Sequence, residues 1–302
     1  MKKDLVTIVT VTYNAEDLLE ETILSVINQT YDNIEYIIID GASTDGTVDI
    51  IKKYEDHIDY WVSEPDGGIY YAMNKGIEKA TGKWINFMNA GDTFFDTETV
   101  AYVMEHKHDN AELIYGNYKK KKANIIVRAL EQKNWLKTMP FNHQTLFSKT
   151  ELAKQYPFDT SYKIVADHHF IMNMYHQKRR FQYLNQALAI FSEGGFANQN
   201  TVKMCIESLK VLIEHNVSLD ELYQTSWYNY LYGTEQSYHK LQKKHTEEVA
   251  KMAWQLSTLQ ENHTLFKKSL SELIAISIWK HPIKKFRAYK KLLSRYFQQK
   301  QP

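Results

Sequence analysis

Acidic side chains close three apolar stretches in the first third of this 302-residue chain, and a polar triplet closes a fourth. Asp40 ends the run IEYIIID and opens a polar loop that reaches Asp45. Glu64 and Asp66 follow the apolar residues 58–62. Asp92 follows residues 83–88 through Asn89-Ala90-Gly91, and Thr12-Tyr13-Asn14 ends LVTIVTVT. Carboxylates collected in this way suit a divalent cation or the hydroxyls of a sugar and ribose. No G-x-G-x-x-G follows the first apolar run, and no G-x-x-x-x-G-K-[ST] occurs, so neither familiar phosphate cradle is available. A phosphorylated ligand would then need a metal ion to neutralise it. Asp92 is the natural protein ligand, because hard cations take oxygen donors and need few from protein when phosphates supply the rest.

The elements that must position these residues follow from periodicity. Residues 5–12 are short, apolar and β-branched, as in a strand buried on both faces. A helix is expected over 16–29, with Leu18, Ile23, Val26 and Ile27 near helical spacing. Strand, helix, strand, helix, strand then follow over 34–40, 48–54, 58–62, 69–80 and 83–88, with Gly82 stopping the last helix. Such alternation implies an α/β fold, a mostly parallel sheet with helices on both faces. Ligands of such sheets bind outside the carboxyl ends of the strands, which is where the four polar segments fall.

Composition narrows the class. Hydrophobic residues make up 43% and charged residues 24%, enough for a substantial core. The single cysteine, Cys205, excludes an internal disulfide framework and a cysteine-rich zinc site. No run approaches the roughly 18 apolar residues of a spanning helix, and the N-terminus reads straight into a strand with no signal peptide, so a cytoplasmic protein is expected. Residues 1–200 carry 21 Lys/Arg against 27 Asp/Glu, whereas residues 201–302 carry 16 against 9. An acidic body with a basic end points to an anionic partner for that end.

Seven segments together make the chain similar to inverting family 2 glycosyltransferases of the GT-A fold. They are VTVTYNA (9–15), SVINQTY (25–31), IDGASTDGT (39–47), SEPDGGIYYAMNKG (63–76), NFMNAGDTF (86–94), NHQTLF (142–147) and FDTSYKIVADHH (158–169). Their wording resembles enzymes that build bacterial capsule, exopolysaccharide or lipopolysaccharide units. The resemblance implies that Thr12, Tyr13, Asn14 and Asp40 hold the nucleotide, with Asp45 shaping the same loop. It places Glu64, Asp66, Asn74 and Asn89 near the donor sugar, Asp92 at Mn²⁺ or Mg²⁺, and His143 and Gln144 on the acceptor side. Asp167 matches the catalytic base. Those types suit a single displacement, in which a carboxylate takes the proton of the acceptor hydroxyl and a cation stabilises the departing diphosphate. Three places depart from the family pattern: Gly91 stands where many relatives carry a second acid, Tyr71 where an Asp is common, and Ala166 and His169 flank Asp167 where the base motif often carries another acid.

Each position has a plainer reading. Asp40 could cap the next turn, Asp92 could cap a helix near Thr97, and Asp167 could be a surface acid. His168 and His169 suggest a metal, but zinc takes three or four ligands and a bare His pair is more often packing. The four lysines 119–122 read most simply as a solvated turn in a hairpin of strands 112–118 and 124–130.

The expected organisation is a catalytic domain over 1–200 and a helical region over 201–302. Helices are expected over 202–215, 220–232 and 234–259. Residues 280–302 carry eight Lys/Arg and no acid, with Ile283, Phe286, Tyr289, Leu293, Tyr296 and Phe297 at helical spacing. That pattern suits an anionic membrane surface, hence peripheral attachment at the inner membrane face, and no nucleic-acid module accompanies it. The expected function is transfer of a sugar from a nucleotide-diphosphate sugar, UDP above all, to a saccharide or polyprenyl-linked saccharide acceptor. The alternative is a catalytically silent, membrane-docked scaffold that binds nucleotide.

Overall fold

A computed structural model describes residues 3–194, 200–222 and 224–232. The basic tail 280–302 and the helix expected over 234–259 lie outside them. Val6–Thr12 (β1), Ile34–Asp40 (β2), Tyr60–Ser63 (β3) and Trp84–Phe87 (β4) form a parallel block in the order β3-β2-β1-β4. The chain thus switches sides of β1 between β3 and β4, which opens a crevice beyond the carboxyl ends of β1 and β4.

Past β4 the sheet is mixed. Phe147–Lys149 (β8) runs antiparallel to β4 and to Leu113–Lys120 (β6). Phe181–Phe191 (β9) pairs parallel with β6, and the short Thr93–Phe94 (β5) lies antiparallel on β9. Ile125–Val127 (β7) returns along β6 in a hairpin, but Lys119 and Lys120 belong to β6, so only Lys121 and Lys122 of the four lysines lie in the turn.

Layers cover both faces. Leu19–Ile27 (α1), Thr47–Lys53 (α2) and Thr99–His106 (α4) pack one face through Leu19, Ile23, Val26, Ile51, Val100 and Val103, all buried against Val6, Ile8, Tyr36, Ile38 and Trp84. Ile69–Lys79 (α3) packs the other face so closely that a Cβ at Gly76 would collide with Val9. Thr150–Gln155 (α5) and Ala166–His176 (α6) extend that layer. Burial on both sides explains why β1 holds only valine, isoleucine and threonine, with no charged residue.

Residues 201–232 form Thr201–Glu214 (α7), Leu219–Leu222 (α8) and Ser226–Tyr232 (α9), in the same compact unit as the sheet. The helix expected over 220–232 is therefore two short ones. On α7, Glu207 accepts the backbone N–H groups of Lys163 (3.0 Å) and Ile164 (2.8 Å), fixing the chain just before α6.

Candidate functional site

The loops after β1, β2 and β3 meet. Asn14 takes a left-handed φ of 46°, and its side-chain oxygen accepts the Thr44 amide at 2.9 Å. Asp45 accepts both the amide (3.0 Å) and the hydroxyl (2.5 Å) of Thr47 and the amide of Glu16 (3.2 Å). The Thr47 hydroxyl leads these donors in holding the Asp45 carboxyl below its ordinary range. Asp40 is fully buried; its carboxylate accepts the Ser43 amide (2.9 Å) and hydroxyl (2.5 Å) and the Ser63 hydroxyl (2.6 Å). Asp40 therefore makes the turn expected of the plainer reading and joins the ends of β2 and β3. A Cβ on Gly41 would lie 3.3 Å from both Asp66 Oδ2 and the Tyr13 ring, so these two side chains flank that backbone. Tyr13 stays 65% exposed, a flat aromatic surface at the rim. Glu64 pairs with Lys75 at 2.8 Å, and Asp66 accepts the Gly68 amide at 2.7 Å.

Beyond β4 the chain turns tightly, with the Asp92 amide donating to the Asn89 carbonyl at 3.0 Å. Gly91 has φ 98°, a conformation that an L side chain rarely adopts. A second acid at that position would be strained, which explains the departure from the family pattern. Thr22 on α1 secures the turn: its hydroxyl accepts the Gly91 amide (2.9 Å) and donates to the Asp92 carbonyl (2.7 Å). Asp92 does not cap α4; Asp96 makes the turn before it, accepting the Thr99 hydroxyl (2.9 Å) and the Glu98 amide (3.0 Å), while Gln29 Oε1 takes the first-turn amide of Val100 (2.9 Å). The Asp92 carboxylate instead accepts Gln144 Nε2 (2.5 Å) and the Ser192 amide (2.8 Å). Burial dominates these donors and pushes its carboxyl up to about 6.

Asp167 sits in the first turn of α6 with its side chain 14% exposed, so it is not a surface acid. Oδ1 accepts the His168 amide (2.9 Å) and shares the single Tyr70 hydroxyl proton (3.0 Å) with the nearer Ile164 carbonyl (2.7 Å), and Oδ2 accepts His143 Nδ1–H (3.1 Å). Burial alone would raise this carboxyl, but His143, Tyr70 and the His168 amide together hold it below its ordinary value. On the far side of its ring, His143 Nε2 faces Asn89 Nδ2 at 3.0 Å. An amide nitrogen can only donate, so Nε2 accepts and Nδ1 carries the proton.

Residues 143–145 form a single 3₁₀ turn before β8. Its neighbours His143 and Gln144 thus hold the two key carboxylates, His143 on Asp167 and Gln144 on Asp92. Asn74 stays apart from them: its carboxamide bonds both the carbonyl (2.8 Å) and the amide (2.9 Å) of Phe158. His168 is buried against Trp227 (ring centroids 4.8 Å) with no partner for either ring nitrogen among the described residues, and His169 stacks on Tyr162 (5.0 Å). The sequence reading passed over Tyr70 and the Ser192 amide as partners of these carboxylates. An aromatic one turn into α3 carries no signal of its own, and an amide carries none at all.

Among the described residues, no three His, Cys, Asp or Glu side chains gather as a metal cluster. The donor set still suits a hard cation that shares its shell with phosphates. Asp92 is a buried, undercompensated carboxylate, and buried oxygens of Thr12, Asn89 and Gln144 have no protein partner among the described residues.

The family model for glycosyl transferase family 2 matches residues 7–192. The chain belongs to that family. A PGL/p-HBAD biosynthesis glycosyltransferase of Mycobacterium tuberculosis is 27% identical to this glycosyltransferase over 213 residues, covering 66% of this chain and 81% of the relative. Two solved structures share the GT-A architecture at lower identity. Staphylococcus aureus TarS 1-349, in complex with UDP-GlcNAc, matches with TM-score 0.61 at 17% identity, over 84% of this chain and 80% of that one. The mannosyltransferase PcManGT from Pyrobaculum calidifontis, in complex with GDP-Man and Mn²⁺, matches with TM-score 0.62 at 16% identity, over 91% and 85%. At such identities the likeness establishes the fold. Sheet order, crevice and family agree with the α/β GT-A class expected from the sequence.

Proposed function

We propose that this glycosyltransferase inverts the anomeric centre of a nucleotide-diphosphate sugar, with Asp167 as general base. The observation that supports the reading is the 3₁₀ turn at His143-Gln144, whose neighbouring side chains bond the carboxylates of Asp167 and Asp92. The acceptor hydroxyl oxygen forms the new bond to the anomeric carbon as the bond to the diphosphate oxygen breaks. Its proton passes to Asp167, and the nucleoside diphosphate leaves with the electron pair. Asp167 is held ionised by its three donors, so it is ready as a base at neutral pH. Asp92, assisted by Asn89, would hold Mn²⁺ or Mg²⁺, which when bound neutralises charge on the diphosphate.

UDP is the favoured nucleotide, in keeping with the UDP-GlcNAc complex of TarS; the GDP-Man complex of PcManGT makes GDP the first competitor. The Thr12–Asn14 strand end and the loop from Asp40 to Asp45 would take the base and ribose, with Glu64 and Asp66 at the donor side. The acceptor is a saccharide or lipid-linked saccharide of a cell-surface polysaccharide, which would place the enzyme at the cytoplasmic face of the membrane. No described helix is long and apolar enough to cross a bilayer. The part of the mycobacterial relative in PGL/p-HBAD biosynthesis supports a place in cell-surface glycan assembly.

A panel of UDP, GDP, dTDP and CMP, each with Mn²⁺ or EDTA, tests the donor half by thermal shift, because a ligand of the native state raises the melting temperature. One diphosphate should shift it, and only with metal. Asp167→Asn should then abolish transfer while leaving that shift intact. Retained transfer in this variant would remove Asp167 from the mechanism.

A further inference from the structure

Ile125 and Ile126 are 52% and 56% exposed, the two most exposed aliphatic side chains among the described residues. They are adjacent on β7, so they point to opposite faces of the sheet. In a strand that half-covers a core, one of the two would be buried. Here both faces of the edge are bare.

The surroundings are cationic. Register pairs Lys119 with Ile126 and Lys120 with Ile125, so each face carries one lysine directly opposite one isoleucine. Lys122 and Arg128 are exposed beside them. Among the described residues the side chains of Lys119, Lys120, Lys122 and Arg128 have no acidic partner; Lys121 alone pairs, with Glu21. The hairpin is nonetheless held in place. Glu193 accepts the amides of Lys122 (2.7 Å) and Ala123 (3.1 Å), and the Lys121 amide donates to the Phe191 carbonyl (3.0 Å). Its turn lies beside the site, since Lys121 bonds Phe191 and the next residue, Ser192, donates its amide to Asp92.

We propose that the hairpin of residues 118–128 is a membrane-docking element that seats Ile125 and Ile126 in the interface of an anionic bilayer. Four cations without an acidic partner among the described residues match an anionic headgroup layer, and a bilayer surrounds an inserted edge, covering isoleucines on both faces at once. A second copy of the chain, pairing edge to edge with β7, would extend the sheet in its own plane and leave the isoleucines on both faces in water. A soluble polyanion would leave the isoleucines in water. Docking here would bring the crevice to the bilayer surface, independently of whether the tail also binds.

The full chain can be tested with vesicles of phosphatidylcholine alone or mixed with phosphatidylglycerol. Cys205 is 2% exposed, so a cysteine in Ile126→Cys can be labelled selectively with an environment-sensitive fluorophore. Its emission should shift to the blue with phosphatidylglycerol vesicles and stay unchanged with phosphatidylcholine vesicles or dextran sulfate. Removing Lys119, Lys120 and Lys122 one at a time, by replacement with Gln, should weaken co-sedimentation about fivefold each. The double variant Ile125→Ser/Ile126→Ser should weaken it at least about tenfold. Unaltered melting temperature and nucleotide-induced shift would show that fold and donor site are intact in these variants. Three results would overturn the proposal: no co-sedimentation, co-sedimentation with an unchanged label (attachment through another segment), or an equal response to dextran sulfate.

Discussion

His143 Nδ1 lies 3.1 Å from Asp167 Oδ2, and the same ring accepts from Asn89 at its other nitrogen. The imidazole is therefore fixed in one tautomer, with its N–H on the carboxylate. Donation to the ionised form lowers a carboxyl pKa, so removing the donor must raise it. In His143→Ala the acid limb of kcat/KM should move to higher pH than in the parent enzyme. At neutral pH kcat should fall by about 10- to 100-fold as the base loses orientation. A pH–rate profile checks both, and an unmoved acid limb would mean that His143 does not tune the base.

Gln144 does for Asp92 what His143 does for Asp167, through a bond of 2.5 Å. A carboxylate that ligates a cation depends on such partners for its orientation. Gln144→Ala should weaken Mn²⁺-dependent nucleotide binding by about 10- to 100-fold, in the range of lost outer partners of metal ligands. Asp92→Asn should abolish the metal-dependent part altogether. Calorimetric titration of nucleotide with and without Mn²⁺ separates the two. Equal affinity in parent and Gln144→Ala would place the cation elsewhere.

The parallel block was legible because its strands are buried on both faces and announce themselves as continuous apolar runs, as in VTIVTVT and IEYIIID. Helix α1 starts at Leu19 rather than at residue 16. Left-handed Asn14 and the loop 43–47 hold residues 14–18 in turns, through Thr47 Oγ1 on the Ala15 amide (2.8 Å) and Asp45 on the Glu16 amide. No local propensity records those long-range bonds. The carboxylates Asp40, Asp92 and Asp167 were legible as types at strand or helix ends. Their partners were not: Gln144 is 52 positions from Asp92 and His143 is 24 from Asp167. They meet because β8, which follows the 3₁₀ turn, inserts antiparallel between β4 and β6. A three-residue strand carries too little periodicity to be read, and periodicity names no pairing partner in any case.

Asn74 shows the converse, a motif residue whose polar atoms are already engaged. Both ends of its carboxamide serve the backbone of Phe158, whose ring packs against Tyr70, Phe87 and Phe170. Asn74→Ala strands the part-buried amide and carbonyl of Phe158 and should cost about 1 kcal/mol of stability. Chemical denaturation measures the loss. Nucleotide binding at a temperature where the variant is folded should match the parent; a variant with parental stability and weakened donor binding would restore Asn74 to the donor pocket.

His168 sets an acid limit on the fold. Burial pushes its imidazole down to about 4, and the nearby Asp167 charge offsets only part of that. The unfolded chain binds a proton on this residue near its ordinary value of 6.5, whereas the folded chain refuses it until about 4. Between those values the unfolded state binds more protons, so stability falls as pH falls through the window, by an amount on the order of 3 kcal/mol at most. Below about 4 both states are protonated and this contribution to the slope ends. His168→Phe keeps the ring against Trp227 and removes the titration. Its urea midpoint should decline less than the parent's between pH 6.5 and 4.5, with the two curves converging above pH 7 apart from a constant offset. Parallel curves across the whole range would show that His168 is not what acid attacks.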